Sequence, residues 1–131
     1  MERRAVNPVN WSLELGFSQG IVVSGESRTL YISGQTAMNA AGSPEHEGDI
    51  AGQLVLAADN LEAVLLNAGM TVANLVRLNV YTTDIDALFQ HYALLSDRLG
   101  VAGVTPTTTM LGVQRLAVPG QMIELEGTAV A

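Results

Sequence analysis

The chain has 131 residues, 48% hydrophobic and 15% charged, which suits one packed domain and not a disordered segment. Thirteen acids against six bases, all of them arginine, give a formal charge of -7, so the surface repels phosphate backbones and anionic lipid headgroups. With no cysteine, disulfides, thiolate metal sites and cysteine nucleophiles are excluded.

In chain order, the opening "MERRAVNPVNWS" lacks the apolar run of a signal peptide, and no stretch approaches membrane-spanning length. A cytoplasmic protein is expected, and the glycosylation pattern at Asn10–Ser12 carries no weight. Phe17 to Val23 reads as a strand, "SGESR" as a turn and "TLYIS" as a second strand, which together predict a hairpin. "AAGSPEHEGD" is a polar loop. Asp49 is placed to cap a helix whose apolar positions, Ile50, Leu54, Ala57 or Ala58, Leu61 and Leu65, recur at helical spacing, with Gly69 as the stop. "LVRLNVYTT" alternates, with Val76, Leu78 and Val80 on one face and Arg77, Asn79 and Tyr81 on the other. Asp84 or Asp86 then caps a second helix running through Leu88, Leu95 and Leu99 to Gly100. Thr107 to Arg115 is a strand, Pro119-Gly120 a turn and "MIELEGTAV" the last strand. Helices interleaved with strands predict one α+β domain over residues 1–131, with both helices on one face of a single sheet. The open face, carrying Met122, Glu124, Glu126 and Thr128 on the last strand, then needs a second layer, such as another subunit.

Few residues suggest chemistry by themselves. "GFSQG" at Gly16–Gly20 matches the G-x-S-x-G nucleophile elbow, but a strand follows it where that motif requires a helix. His46, between two glutamates, and His91 do not make a metal site. Glu124 and Glu126 share a strand face. They read either as an exposed charged edge or as a carboxylate that enters a pocket and handles protons there.

In their order along the chain, "GFSQGIVVSG", "LYISGQT", the segment from Leu56 to Asp84, "PTTTMLGVQRL" and "IELEGTAVA" resemble the reactive-intermediate deaminase family, RidA (YjgF/YER057c/UK114). The resemblance implies a chorismate-mutase-like two-layer fold, a homotrimer with clefts between subunits, and hydrolysis of 2-imino or 2-enamino acids without metal or organic cofactor. It implies site residues too: Glu124 for proton and water handling, and Phe17, Ser33, Tyr92 and Thr108 as substrate-binding positions. Two of these depart from the family pattern in a way that matters. Phe17 keeps the ring of a tyrosine without its hydroxyl. Thr108 stands where an arginine clamps the substrate carboxylate, a geometry that suits arginine. Tyr92 replaces an asparagine. Arg115, an odd number of residues beyond Thr108, is expected on the opposite face of that strand.

The function expected is therefore binding or hydrolysis of a small imine, enamine or related carbonyl compound that is not a 2-imino acid. The alternative is a non-catalytic ligand-binding or regulatory trimer. A ribonuclease or translation inhibitor fits the charge poorly, and neither nucleic acid nor membrane is an expected partner.

Overall fold

The computed structural model describes residues 1–131. Strands β1 (Glu2–Val6), β2 (Gly20–Ser24), β3 (Thr29–Gln35), β4 (Leu75–Thr82), β5 (Thr107–Gly112) and β6 (Ile123–Val130) combine with helices α1 (Ile50–Asn67), α2 (Ile85–His91) and α3 (Ala93–Val101). Four strands form a mixed sheet in the order β3-β6-β4-β5, antiparallel except for the parallel β4–β5 pair. This is the α+β architecture expected, with three departures.

The predicted β2–β3 hairpin does not form. β2 instead pairs antiparallel with the N-terminal strand, from Glu2↔Ser24 to Val6↔Gly20, while β3 pairs with β6. The N-terminal strand went unread because "ERRAV" has no alternating pattern. Just before β2, a bridge between Ser18 and Thr107 ties the two-stranded ribbon to the main sheet. Arg3 fastens it further, donating to the carbonyls of Ala73 and Leu75 at 2.5 and 2.6 Å.

The second helix is two helices, so three pack where two were expected. At Tyr92 the backbone bond tightens to a donation onto Phe89 O, and α3 restarts with Leu95 and Ser96 donating to Tyr92 O. A switch from four-residue to three-residue bonding bends a helix. Phe17 is not on a strand either. It follows a 3-10 turn, Trp11–Leu15, closed by Gly16 at φ 85°, and its N–H donates to Ser12 O. Glycine takes that left-handed backbone without steric cost.

One side of the main sheet carries the core. Leu54, Leu61 and Leu65 of α1 meet Leu78 and Val80 of β4 and Ile123, Leu125 and Ala129 of β6, all essentially inaccessible. Each buried leucine contributes about 1.5–3 kcal/mol by leaving water. β4 reaches this arrangement through a bulge between Leu75 and Arg77, which lets both Leu75 and Leu78 face the core. Asp49 caps α1 as expected, its Oδ1 accepting from Gly52 N at 3.0 Å. Asp49→Ala is expected to lower unfolding free energy by about 1 kcal/mol in urea titration. An unchanged midpoint would show that the cap does not hold the helix start.

Candidate active site

The face of the sheet away from the helices is built by alternation on its two central strands. Cross-strand neighbours there are Arg77 with Thr128, Asn79 with Glu126, and Tyr81 with Glu124. β5 adds Thr107, Thr109 and Leu111 opposite Arg77, Asn79 and Tyr81. The result is a polar surface directly behind the core.

Its centre is a hydrogen-bonded cluster around Glu126. Tyr81 donates its hydroxyl to Glu126 Oε1 in a very short bond, and Asn79 Nδ2 donates to the same oxygen at 2.9 Å. Arg77 Nη2 donates to Thr109 Oγ1 at 2.9 Å. A depression of about 230 Å³ opens beside this cluster, bounded by Tyr31, Arg77, Asn79, Glu126 and Thr128. The hydrogen bond from Tyr81, then that from Asn79, holds the Glu126 carboxyl below the usual carboxylate range. The same bond to Glu126, followed by desolvation, pushes the Tyr81 phenol above its usual value.

Glu124 is placed differently. It accepts no such bonds, and its carboxylate lies over the backbone of Gly34, so closely that a β-carbon added at position 34 would come within 1.8 Å of Oε1. Gly34 falls where the β3–β6 register shifts, between Ile32 and Gln35. The bulge and the missing side chain together make the space that the carboxylate occupies. Ser33, the residue before, is exposed on the same bulge.

The other three expected positions lie at the far edge. Thr108 pairs with Leu78, a core residue, and so projects on the helix side of β5, across the sheet from Glu124. Its hydroxyl donates to Pro106 O at 3.1 Å. Phe17 precedes the Ser18–Thr107 bridge, and Ser18 and Thr105 share a side-chain hydrogen bond of 2.8 Å there. Gly16, one residue earlier, sits against Ser96 of α3, one turn beyond Tyr92. Tyr92 is largely buried, and that desolvation raises its phenol's pKa. One chain therefore sorts the five positions into two groups: Ser33 with Glu124 on the open face, and Phe17, Tyr92 and Thr108 at the β5 edge. It does not bring the groups together.

Residues 12–131 match the family described as Endoribonuclease L-PSP. The chain belongs to the RidA/YjgF family. A RutC family protein from Aquifex aeolicus is 30% identical to it over 114 residues, 87% of each chain. The conserved Rid protein family member YyfB from Yersinia pestis superposes over the whole of both chains with a TM-score of 0.85 and 36% identity. The YjgF gene product of Escherichia coli superposes over 87% of each with a TM-score of 0.70 and 28% identity.

Set beside the RidA pattern, Arg115 needs correction. β5 ends at Gly112, so strand parity does not govern Arg115. It sits in the following loop, beside an open depression of about 350 Å³ that also takes in Thr83, Gln114, Gln121 and Met122. The G-x-S-x-G run makes no elbow, because Ser18 is buried against Thr105. The Tyr81–Glu126–Asn79 cluster escaped the list of site residues. Its signal was the alternation that put Arg77, Asn79 and Tyr81 on one face, together with the paired glutamates of β6.

The sign of the pH effect follows from the two shifts. Glu126, lowered on folding, favours the folded state above the ordinary carboxylate range, and that contribution is lost as pH falls through its lowered value. Tyr81, raised on folding, contributes below the ordinary phenol range and stops contributing as pH rises through its raised value. Tyr81→Phe should move the Glu126 titration, followed by carboxyl carbon NMR, upward toward the ordinary glutamate value. An unmoved titration would mean that the phenol is not what holds the carboxylate.

Proposed function

We propose that the chain assembles as a homotrimer and that its clefts, each completed by two subunits, hydrolyse a small imine or enamine lacking a carboxylate. The observation that carries this reading is the unpaired carboxylate of Glu124, held over Gly34 with Ser33 beside it. A neighbouring chain would supply Phe17, Tyr92 and Thr108 from its β5 edge.

In this reading Glu124 takes a proton from a water as the water oxygen bonds to the imine carbon, and the C=N π pair moves to nitrogen. The proton then passes to the nitrogen of the tetrahedral adduct. The adduct's hydroxyl proton then moves by way of Glu124 to the amino nitrogen, an oxygen electron pair forms the C=O bond as the C–N bond breaks, and ammonia and a carbonyl compound leave. Thr108 donates its hydroxyl hydrogen to Pro106 O, which leaves its oxygen lone pairs to accept from an imine N–H. No arginine at position 108 offsets Glu124, so a substrate carboxylate meets a like charge in a partly dehydrated site.

Nucleic acid is a poor substrate despite the description carried by the family. Arg3, Arg28, Arg77 and Arg98 already spend their guanidinium groups on carbonyls, a hydroxyl or carboxylates of their own chain. Few cations remain to displace counterions.

The test generates imines in situ. An amine oxidase supplies an imine without a carboxylate, and a dehydratase supplies 2-iminobutanoate. Wild type should accelerate ammonia release from the first and leave the second near its spontaneous rate. Glu124→Gln should abolish the acceleration, and Gly34→Ala should do nearly the same with little loss of stability, because only a flexible carboxylate has to move. Thr108→Arg should gain about tenfold or more on 2-iminobutanoate through a charge-assisted hydrogen bond. Robust wild-type turnover of 2-iminobutanoate would contradict the reading, as would full activity in Glu124→Gln.

A further inference from the structure

Two aromatic pairs lie at the β5 edge, and each joins an expected cleft position to a more exposed ring. Trp11 meets Phe17 edge-to-face, with centroids 5.9 Å apart and planes at 86°. Phe89 meets Tyr92 at 6.3 Å and 63°. Trp11 is 58% exposed and Phe89 57%. A single exposed aromatic needs no explanation. Here four of the chain's six aromatic residues gather on two segments, the 3-10 turn and the α2–α3 junction, which Gly16 packs together against Ser96.

Charge along the segments that carry these rings is one-sided. From Ala5 to Ser27 there is no base, while Glu14 sits in the same turn as Trp11. From Leu78 to Asp97 there is again no lysine or arginine, but Asp84, Asp86 and Asp97 are present. The π face of an aromatic ring is its negative pole and attracts cations, indole most strongly. Aromatic faces on segments that carry carboxylates but no lysine or arginine, His91 being the one titratable base among them, favour a positive ligand over a carboxylate.

We propose that Trp11 is a specificity-determining residue that receives the cationic end of the ligand, so that the substrate class is the protonated imine of an amine, not a neutral imine. This inference rests on the two-chain cleft above, since Phe17 is the position that brings Trp11 to it. Trp11 acts on recognition only. Water adds to the iminium carbon as Glu124 takes its proton, that proton passes to the amino nitrogen of the adduct, and as C=O forms and the C–N bond breaks the hydroxyl proton leaves with the ammonia as ammonium; no bond to Trp11 forms.

Trp11 is the only tryptophan, so the intrinsic emission of the native protein reports this position alone. Three probes of one shape separate charge from shape: tert-butylammonium, tert-butanol and pivalate. Tert-butylammonium should change the emission saturably, tert-butanol should bind about tenfold more weakly, and pivalate should not bind. By calorimetry, Trp11→Ala should lose about tenfold in tert-butylammonium affinity, while Trp11→Phe should retain most of it. For the amine-oxidase-generated imine, Trp11→Ala should raise KM and leave kcat within about twofold. Equal affinity for tert-butylammonium and tert-butanol, a non-saturating response, or emission insensitive to all three probes would overturn the proposal, the last by placing Trp11 inside a subunit contact. If those results came together with loss of turnover in Glu124→Gln, the assignment of Trp11 would fail and the hydrolytic reading would stand. Selective cation binding with turnover indifferent to Glu124 would fail the hydrolytic reading and keep the recognition.

Discussion

The strict alternation of β6 is the constraint on which the rest depends. Ile123, Leu125, Gly127 and Ala129 face α1 and the core, while Glu124, Glu126 and Thr128 face away. Because a strand has a two-residue period, a one-residue slip in register would bury the two carboxylates under the helices and expose the leucines. The core that holds the fold therefore also fixes where the acids stand, within a residue and without adjustment. Both neighbours respect this. β4 places Asn79 and Tyr81 beside the acids, and β3 breaks its register at Ser33–Gly34 to make room for Glu124.

The two glutamates, two residues apart, differ in what surrounds them. Glu126 is satisfied by a phenol and an amide, so its charge is compensated and its geometry fixed. Such a group suits a structural role in fixing the open face of the sheet. Glu124 lacks these partners and rests over a glycine, which leaves its lone pairs for a ligand or a water. A carboxylate that is positioned but not neutralised is what proton transfer requires. The difference between them comes from the partner strands, not from β6.

Much of this was legible in the sequence where periodicity is strong. The spacing of Ile50, Leu54, Leu61 and Leu65 and the cap at Asp49 located α1, and the alternation of β4 and β6 separated core from open face. What failed had weak local signals. The N-terminal strand has no alternation and is defined only by its partner, and the helix break at Tyr92 is marked by no proline or glycine. Strand length was overread at Thr107–Arg115, because the in-out alternation of side chains continues through Val113 to Arg115 past the point where pairing ends at Gly112. For the site, Thr108 was found only by resemblance to a family, since a threonine on a strand carries no sign of chemistry. That Thr108 and Glu124 project from opposite sides of the sheet needed the register of three strands.

That separation is the reason the site is assigned to two chains, and it is tested most directly by mixing subunits. Glu124→Gln and Phe17→Arg chains, each inactive alone on the amine-derived imine, are unfolded together, refolded as mixed trimers and assayed. If each cleft takes Glu124 from one chain and Phe17 from its neighbour, random assembly restores about a quarter of the clefts to the wild-type pair. Activity should return to about that fraction of wild type. No recovery from properly assembled mixed trimers would show that one chain supplies both residues and would contradict the account.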